Sequence, residues 1–365
     1  MNIPPEKLLG EGIDPSDLND DVVGRTLDAI YKYGATELFN QIALHVMGQF
    51  SLGTQLIHVD TTNFSVSGKY ENDAPDATDS IRIAFGHAKD GRTDLKRFVL
   101  GLVTNQVGLP LFTKAFSGNE SDKNSIIYMI RKAQHSLDFD DKAYWVADSA
   151  MYTENNIVLL GTDTKWITHV PATVGDIDKL LNADLDFSPS TDPRYAFHVT
   201  DLYYAGILQR VVVVWSEEMK TRNEQTFERM LQKETVKAEK ELKKLMGKKF
   251  ACVPDAENEA KIWASKLPYH DLKDIQIIPV TEKVEKRRGR PKKNEPINLR
   301  FKIEGRIEID EDVLAEESKR FGRFVLASND VSLDPELMLK YYKGQQTVEH
   351  GFRFLKDKCF HVSEV

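Results

Sequence analysis

Gln55-Leu-Ile-His-Val-Asp60 is a short apolar run that ends in a carboxylate, and Tyr144-Trp-Val-Ala-Asp148 repeats this pattern further along the chain. Runs of this length predict buried β-strands, and residues 121–133 between them have the spacing of an amphipathic helix. Strands that alternate with helices indicate an α/β core over residues 55–170. Open α/β sheets bind ligands at the carboxyl ends of their strands, so Asp60 and Asp148 are candidate site residues.

The composition indicates a globular protein, since 41% of the 365 residues are hydrophobic and 29% are charged. No run approaches the ~18 apolar residues of a membrane span, and the first ten residues lack the apolar centre of a secretory signal. Cys252 and Cys359 are too few for a disulfide framework or a thiolate zinc site. We therefore expect a cytoplasmic protein with no membrane partner. The net charge of −8 confines any nucleic-acid contact to local basic patches.

Changes in pattern divide the chain into four predicted segments. Near the N-terminus, apolar residues at three- and four-residue steps predict two helices separated by Gly34. Residues 81–85 and 98–104 are predicted to form paired strands, and residues 217–249 a long charged helix with one apolar stripe. The segments are an N-terminal helical segment (residues 1–50), a first part of the α/β core (51–171), an α+β unit (172–322) and a second part of the core (323–365).

The final predicted helix carries a polar stripe. Glu349 lies seven residues after Tyr342 and seven before Lys356, and seven residues are nearly two helical turns. We therefore expect these three side chains on one face, with Gln345 one turn before the glutamate. His350 points about 100° away from Glu349, so we do not expect the two side chains to bind the same metal ion.

The acidic residues Asp60, Asp148 and Glu349 would repel one another at close range unless divalent cations lay among them. Oxygen-only ligands suit Mg²⁺ or Mn²⁺. Two such ions about 3.5–4 Å apart activate a water or hydroxyl group and stabilise both oxygens of an in-line phosphoryl displacement. Taken singly, each acid fits a surface or helix-capping carboxylate better than a metal ligand. Together they indicate metal-dependent phosphodiester chemistry.

Three blocks of the sequence resemble the signature blocks of DDE insertion-sequence transposases. They are His58-Val-Asp-Thr-Thr62, Ala147-Asp-Ser-Ala-Met-Tyr152, and Tyr342-Lys-Gly-Gln-Gln-Thr-Val-Glu349 followed by Lys356. The last block is similar to the Tyr-Arg-Glu-Lys signature of the bacterial "insertion sequence four" superfamily, with Gln345 in place of the arginine. An amide keeps hydrogen bonding but loses the charge and the bidentate fork of arginine.

The resemblance implies a ribonuclease-H-like core, which is a mixed sheet flanked by helices. It implies that residues 172–322 are an insertion domain between the second aspartate and the glutamate. It also implies that three acids are catalytic and hold two Mg²⁺ or Mn²⁺ ions, and that three further residues contact DNA. The implied catalytic residues are Asp60, Asp148 and Glu349, and the implied DNA contacts are Tyr342, Gln345 and Lys356.

The same resemblance implies a DNA transposase that acts as a homodimer in a synaptic complex. Water would hydrolyse a strand at an insertion-sequence end, and the released 3′-OH would attack target DNA. One alternative is a non-transposing nuclease of the same fold, which would cleave DNA without strand transfer. The other is a truncated, inactive DNA-binding remnant, which is suggested by the chain's end at Val365, nine residues past Lys356.

A basic segment at residues 282–293 is the strongest nucleic-acid signal on this acidic chain. Its core, Arg287-Arg-Gly-Arg-Pro-Lys-Lys293, resembles an AT-hook, in which arginines enter a narrow minor groove. A solvated loop between two strands is the alternative. Phosphate attraction would make DNA binding by this segment strongly salt-dependent. The predicted DNA-binding side chains are Arg287, Arg288, Arg290, Lys292 and Lys293.

Overall fold

The computed structural model describes residues 5–70, 81–88, 91–137, 139–140, 142–283 and 297–357. The helices are α1 (Pro5–Leu9), α2 (Asp20–Tyr33), α3 (Ala35–Phe50), α4 (Asp122–Ser136), α5 (Glu154–Leu160), α6 (Ile177–Asn182), α7 (Glu217–Gly247), α8 (Val253–Ala264), α9 (Glu311–Ser318), α10 (Pro335–Lys343) and α11 (Gln346–Leu355). The strands are β1 (Leu56–Val66), β2 (Lys96–Asn105), β3 (Pro110–Ser117), β4 (Tyr144–Ala147), β5 (Lys165–Val170), β6 (Ser188–Pro189), β7 (Tyr195–Tyr204), β8 (Ile207–Ser216), β9 (His270–Lys283), β10 (Ile297–Ile309) and β11 (Arg323–Ser328).

The chain forms two compact units. The first comprises Met1–Pro171, Val199–Val212 and Val325–Val365, and the second comprises Ala172–His198 and Val213–Phe324. The four predicted segments stay a prediction, and in this division the tip of the β7–β8 hairpin belongs to the first unit. Tyr152 provides the physical reason. Its ring stacks on Tyr204 at a centroid distance of 4.9 Å, and its hydroxyl donates to Gln209 Oε1 at 2.7 Å.

A mixed sheet flanked by helices forms the centre of the first unit, as predicted. Its strands follow the order β3-β2-β1-β4-β5-β11-β8-β7. β1 pairs antiparallel with β2 and parallel with β4, and β4 pairs parallel with β5. The successive residues Trp145 and Val146 are both buried, which means that both faces of the sheet are covered at β4.

α4 covers β1, β2 and β3. The predicted helix is confirmed: it begins after Ser121, and its apolar side, including Ile126 and Ile130, is fully buried. Burial of each isoleucine contributes about 1.5–3 kcal/mol relative to exposure. Gly101 of β2 allows this close packing, because a Cβ there would lie only 2.0 Å from Met129 Sδ.

The N-terminal region forms the two helices predicted from its periodicity. α2 and α3 meet at Gly34, whose positive φ of 103° favours glycine. α3 is tied to β3, since the Thr36 hydroxyl donates to the carbonyl oxygen of Thr113 at 2.9 Å. Within the parts of the chain that the structure describes, no helix is both long and apolar enough to cross a membrane.

The second unit is built around the antiparallel β9–β10 pair, on which α7 and α8 pack. The predicted apolar stripe of α7 is confirmed, since Leu242 and Leu245 enter the buried core. Ala256 and Ala260 of α8 and Ile303 of β10 complete that core. The hydrophobic side of the long helix therefore faces inward.

Two strand predictions are wrong. β1 continues beyond Asp60 to Val66 because β2 pairs with it over this whole length. Residues 81–85 form no strand and contribute only a bridge between Ala84 and Arg97, whereas β2 pairs with β1 and β3. Instead, residues that precede β2 surround the buried guanidinium group of Arg97. That guanidinium donates to the carbonyl oxygens of His87, Arg92 and Leu95.

Candidate active site

Asp60 and Asp148 lie side by side on neighbouring strands. The parallel pairing of β1 with β4 ends where Val59 lies opposite Ala147, so each aspartate is the next residue on its strand. Asp148 keeps an extended backbone, with φ −72° and ψ −178°. Neighbouring strands are about 4.8 Å apart, and side chains in register point to the same face. The pairing therefore brings the two carboxylates together at the end of the parallel part of the sheet.

Backbone hydrogen bonds orient both aspartates. Asp148 caps a short 3₁₀ helix, and its Oδ1 accepts from the backbone N–H of Ala150 at 2.9 Å. Its carbonyl oxygen accepts from Thr168 Oγ1 at 2.7 Å. Asp60 Oδ1 accepts from the backbone N–H of Thr61 at 2.7 Å. These bonds restrict Asp148 where β4 gives way to a turn, and the Asp60 carboxylate within β1.

An apolar contact places α11 beside Asp60. Leu102 of β2 lies directly opposite Asp60 in the antiparallel ladder, and opposed side chains share a face of the sheet. Val348 and Phe352, one turn apart on α11, form a buried cluster with Leu102. Because Glu349 follows Val348, this contact holds the glutamate near the face that carries Asp60.

Asp60 and Glu349 line the same open cleft, which has a volume of about 700 Å³. Lys356 Nζ donates to Thr62 Oγ1 at 2.6 Å and lies 5.3 Å from the centroid of the Phe64 ring. Alternate residues of β1 share a face, so Asp60, Thr62 and Phe64 form one row. α11 follows this row, with Glu349 at one end and Lys356 at the other. The remaining lining residues are Thr61, Phe352, Arg353 and Asp357.

The final helix is broken, contrary to the sequence prediction. Gly344 and Gln345 separate α10 from α11. Both keep a φ of −58°, but the N–H of Gln345 bonds to the carbonyl oxygen of Tyr342, three residues back, at 3.1 Å. The single predicted helix that carries Tyr342, Glu349 and Lys356 is therefore not continuous, and their common face stays a prediction. Tyr342 lies on α10, whereas Glu349 lies on α11 and Lys356 ends it.

His58 occupies the space beside this break. Its ring is fully buried, as expected for a packed strand residue. A Cβ at Gly344 would lie 2.8 Å from His58 Nε2 and 2.9 Å from its Cε1, so only glycine fits there without a shift. Burial lowers the pKa of His58 to about 4, which leaves the ring neutral at neutral pH.

Tyr342 is influenced by all three acids. Burial, followed by the charges of Asp148, Glu349 and Asp60, raises the pKa of Tyr342 to about 12. The phenol is therefore protonated at neutral pH and can act as a hydrogen-bond donor. Its ring stacks on that of His169 at a centroid distance of 6.4 Å. Although Tyr342 lies on a different helix from Glu349, it remains close enough to the acids to respond to each of them.

One known protein family spans every residue of this site. Residues 51–365 match the family described as "Transposase DDE domain". The chain belongs to this transposase family. Residues 1–44, which precede the DDE domain, match a second family described only as a domain of unknown function. No curated protein matches the chain.

The chain has a partial and weak similarity to solved transposase structures. The Mos1 transposase paired-end complex with left transposon end aligns at 14% identity and a TM-score of 0.22, over 45% of this chain and 47% of that chain. A pre-cleavage Mos1 transpososome aligns at 12% identity and a TM-score of 0.21, over 36% and 41% of the two chains. The similar region thus spans less than half of each Mos1 chain.

The three candidate acids have the chemistry that hard divalent cations require. Asp60, Asp148 and Glu349 offer carboxylate oxygens, which Mg²⁺ and Mn²⁺ prefer. Among the residues that the structure describes, no three acidic, histidine or cysteine side chains are arranged as a preformed metal cage. Mg²⁺ commonly binds one or two carboxylates together with water and substrate phosphates. Two aspartates in register, with a glutamate in the cleft of one of them, fit that mode of binding.

The other predicted DNA contacts of the DDE domain have different surroundings. Lys356 lines the cleft. Gln345 is only 8% exposed at the helix break, and its contact with DNA stays a prediction. The AT-hook-like residues lie outside the described residues, so their role also stays a prediction. They are Arg287, Arg288, Arg290, Lys292 and Lys293.

Arg353 and Thr62 line the cleft but were not predicted from the sequence. Arg353 lies four residues after Glu349, and this helical spacing could have indicated it. Thr62 lies two residues after Asp60, and the period of a strand could have indicated it. Arg353 adds a second cation to the one at Lys356. Guanidinium and ammonium groups in one cleft suit phosphate oxygens.

Proposed function

We propose that this protein is a DNA transposase that cleaves and joins DNA strands at a site formed by Asp60, Asp148 and Glu349. The strand register carries the proposal, because it sets Asp60 beside Asp148 while Glu349 shares the cleft of Asp60. Membership of the transposase DDE domain family supports the same class of reaction. Water would hydrolyse a strand at the element end, and the released 3′-OH would then attack target DNA.

The three acids would hold two Mg²⁺ or Mn²⁺ ions. When bound, such ions neutralise the developing charge of an in-line phosphoryl displacement and make water a better nucleophile. The protein itself fixes the positions of the three carboxylates. Asp60 is part of a long strand with ladders on both sides, and Asp148 is held by a cap and by Thr168. Glu349 is held by the contact of α11 with Leu102.

The cleft also offers groups that bind a DNA strand. Arg353 and Lys356 would meet phosphate oxygens, which orient the strand without reading its sequence. Tyr342 would donate a hydrogen bond to an oxygen near the acids, since its raised pKa keeps the phenol protonated. Gln345 would act through a hydrogen bond if the break between α10 and α11 opened on DNA binding.

The finer assignment rests on the sequence blocks. They support a bacterial transposase of the insertion sequence four superfamily, with a ribonuclease-H-like core interrupted by residues 172–322. The antiparallel β3-β2-β1 strands, continued by the parallel strands β4 and β5, are compatible with such a core. A homodimer would hold two transposon ends in a synaptic complex, and the AT-hook-like segment would add minor-groove contacts.

The test uses DNA that carries the inverted repeats flanking the gene. Wild-type protein should cut at the repeat ends only with Mg²⁺ or Mn²⁺ and should join the released end to a second DNA. Asp148→Ala should lower cleavage by more than about 10³-fold, because it removes a group that acts as part of a unit. Asp163→Ala, which changes an exposed acid outside the cleft, is the matched control and should retain activity.

Two outcomes would replace this proposal. Metal-dependent cleavage with no joining at any repeat end would identify a non-transposing nuclease. DNA binding without cleavage, indifferent both to Mg²⁺ and to Glu349→Gln, would identify an inactive remnant.

A further inference from the structure

α7 carries a row of basic side chains along its solvent side. The six members are spaced by seven, four, four, three and four residues. At about 100° per residue, this spacing confines them to an arc of about 80° on the helix surface. All six side chains are exposed. Arg222, Arg229, Lys233, Lys237, Lys240 and Lys244 are here termed the basic ridge.

The acidic residues of α7 are excluded from this arc. The helix contains seven glutamates and eight basic residues, so its total charge is nearly balanced. By helical geometry, Glu218 and Glu241 lie on the two flanks of the ridge and the other glutamates lie farther round. A surface helix stabilised by ion pairs would alternate the two signs at four-residue steps. In α7 three such pairs form, Arg222–Glu218, Lys237–Glu234 and Lys220–Glu224, but the arc of the six cations itself contains no glutamate.

Few contacts within the protein neutralise the ridge. Arg222 pairs with Glu218 at 2.8 Å and Lys237 pairs with Glu234 at 3.2 Å. Exposed pairs of this kind contribute little to stability. The other four ridge cations make no ion pair among the residues that the structure describes. They are Arg229, Lys233, Lys240 and Lys244.

The row of like charges opposes folding, since two cations four residues apart on a helix repel each other and destabilise it. Lys233 with Lys237, and Lys240 with Lys244, have this spacing. A polyanion along the ridge would remove the repulsion. The opposite side of α7 is already occupied, because Leu242 and Leu245 lie in the core of the second unit.

We propose that the basic ridge binds the phosphate backbone of double-stranded DNA. From Arg222 to Lys244 the ridge is about 33 Å long at 1.5 Å per residue, which exceeds the major-groove width of about 12 Å. It can therefore reach phosphates on both sides of a groove. A membrane surface is the less suitable polyanion, because Leu242 and Leu245 are buried and the only large apolar side chains that α7 exposes are Met230 and Val236. The inference rests on the proposed function only in taking DNA as the partner.

The experiment measures the affinity of the full-length protein for a duplex of about 30 base pairs at several salt concentrations. The ridge variant combines Arg229→Gln, Lys233→Gln, Lys240→Gln and Lys244→Gln. It should bind at least about tenfold more weakly at 0.1 M salt, with a slope of log K against log salt smaller by about 3 to 4. The changes are on exposed side chains, so circular dichroism and thermal unfolding should match the wild type.

A matched control removes four other exposed lysines of the second unit and therefore the same total charge. It combines Lys179→Gln, Lys220→Gln, Lys261→Gln and Lys266→Gln, and its salt slope should change by less than about 1. A charge-keeping variant, with Arg229→Lys, Lys233→Arg, Lys240→Arg and Lys244→Arg, should bind as the wild type does.

Three outcomes would contradict the proposal that the basic ridge binds DNA. They are equal affinities and slopes for the ridge variant and the control, loss of binding in the charge-keeping variant, and a preference of wild-type protein for anionic lipid vesicles over the duplex. Failure of the proposed function has a different signature. Wild-type protein would then bind the duplex through the ridge but would not cleave DNA in the presence of Mg²⁺.

Discussion

α11 and α7 both present cations to a proposed DNA partner, but their arrangements differ. The ten-residue α11 is docked on the sheet through Val348 and Phe352, and its polar groups have specific neighbours there. The 31-residue α7 presents its ridge on an exposed face with few partners. The contribution of an α11 side chain to activity therefore depends on where that helix is docked. The contribution of a ridge residue to DNA binding depends only on its spacing along one helix. Single changes on α11 should have larger effects than single changes on α7.

Glu349→Gln should produce the largest effect. It keeps the shape of the side chain but removes the charge that the glutamate would offer to divalent ions beside Asp60. We expect strand cleavage to fall by more than about 10³-fold with unchanged thermal stability. His350→Gln, at the exposed neighbouring position, should stay within about twofold of wild type because it points about 100° away. Equal losses of cleavage in the two variants would contradict this role, because any substitution on α11 would then lower activity.

Gly344→Ala should have the next largest effect, because it tests how the docking of α11 is set. The added methyl would lie 2.8 Å from the buried ring of His58, so we expect a loss of about 1–3 kcal/mol in the free energy of unfolding. Activity should fall by about 10- to 100-fold, because a small misplacement of a catalytic group has effects of this size. Chemical denaturation and cleavage assays measure the two effects.

Gly351→Ala is the control for this change within α11. A Cβ there would lie 3.6 Å from Leu102 Cδ2, an ordinary contact, so the change should be neutral or stabilise the helix by up to about 1 kcal/mol. Adding His58→Ala to Gly344→Ala should restore part of the activity by removing the clash. Strictly additive losses in that double variant would contradict the role given to His58.

Lys356→Gln should have a moderate effect on substrate binding. The ammonium group is held by Thr62 and lies over Phe64, where it would meet a phosphate of the bound strand. We expect an increase of about tenfold in the KM for DNA, with little change in kcat. Lys340→Gln changes an exposed lysine of α10 and should leave KM unchanged. A fall in kcat alone would place Lys356 in the chemical step instead.

Lys240→Gln should have the smallest effect, because one of six ridge cations is removed and no packing contact is lost. We expect DNA affinity to fall by about two- to threefold and the salt slope to decrease by about 1. Lys220→Gln, on the same helix outside the ridge, is its control. A tenfold loss of DNA affinity from this single change would show that Lys240 makes a specific contact. Single side chains of α7 would then matter as much as those of α11.

The main elements of both units could be predicted because their signals are local. The helix at α4, the short strand β4 and the long helix α7 each follow from apolar spacing within one segment. The full length of β1 could not be predicted in this way. Beyond Asp60 its polar residues are held by the ladder with β2, which lies far along the chain. Likewise, the requirement for glycine at position 344 comes from the ring of His58, which no local pattern reveals.

Periodicity and residue type alone established the α/β class, the candidate acids Asp60, Asp148 and Glu349, and the long charged helix α7 with its apolar stripe. These properties depend only on neighbours within about one helical or strand period. The tertiary structure decided that β1 and β4 pair with the two aspartates adjacent, and that α11 docks on Leu102 with Glu349 in the cleft of Asp60. Such placements arise from pairing and packing between distant segments, and no local pattern specifies which distant partners will meet.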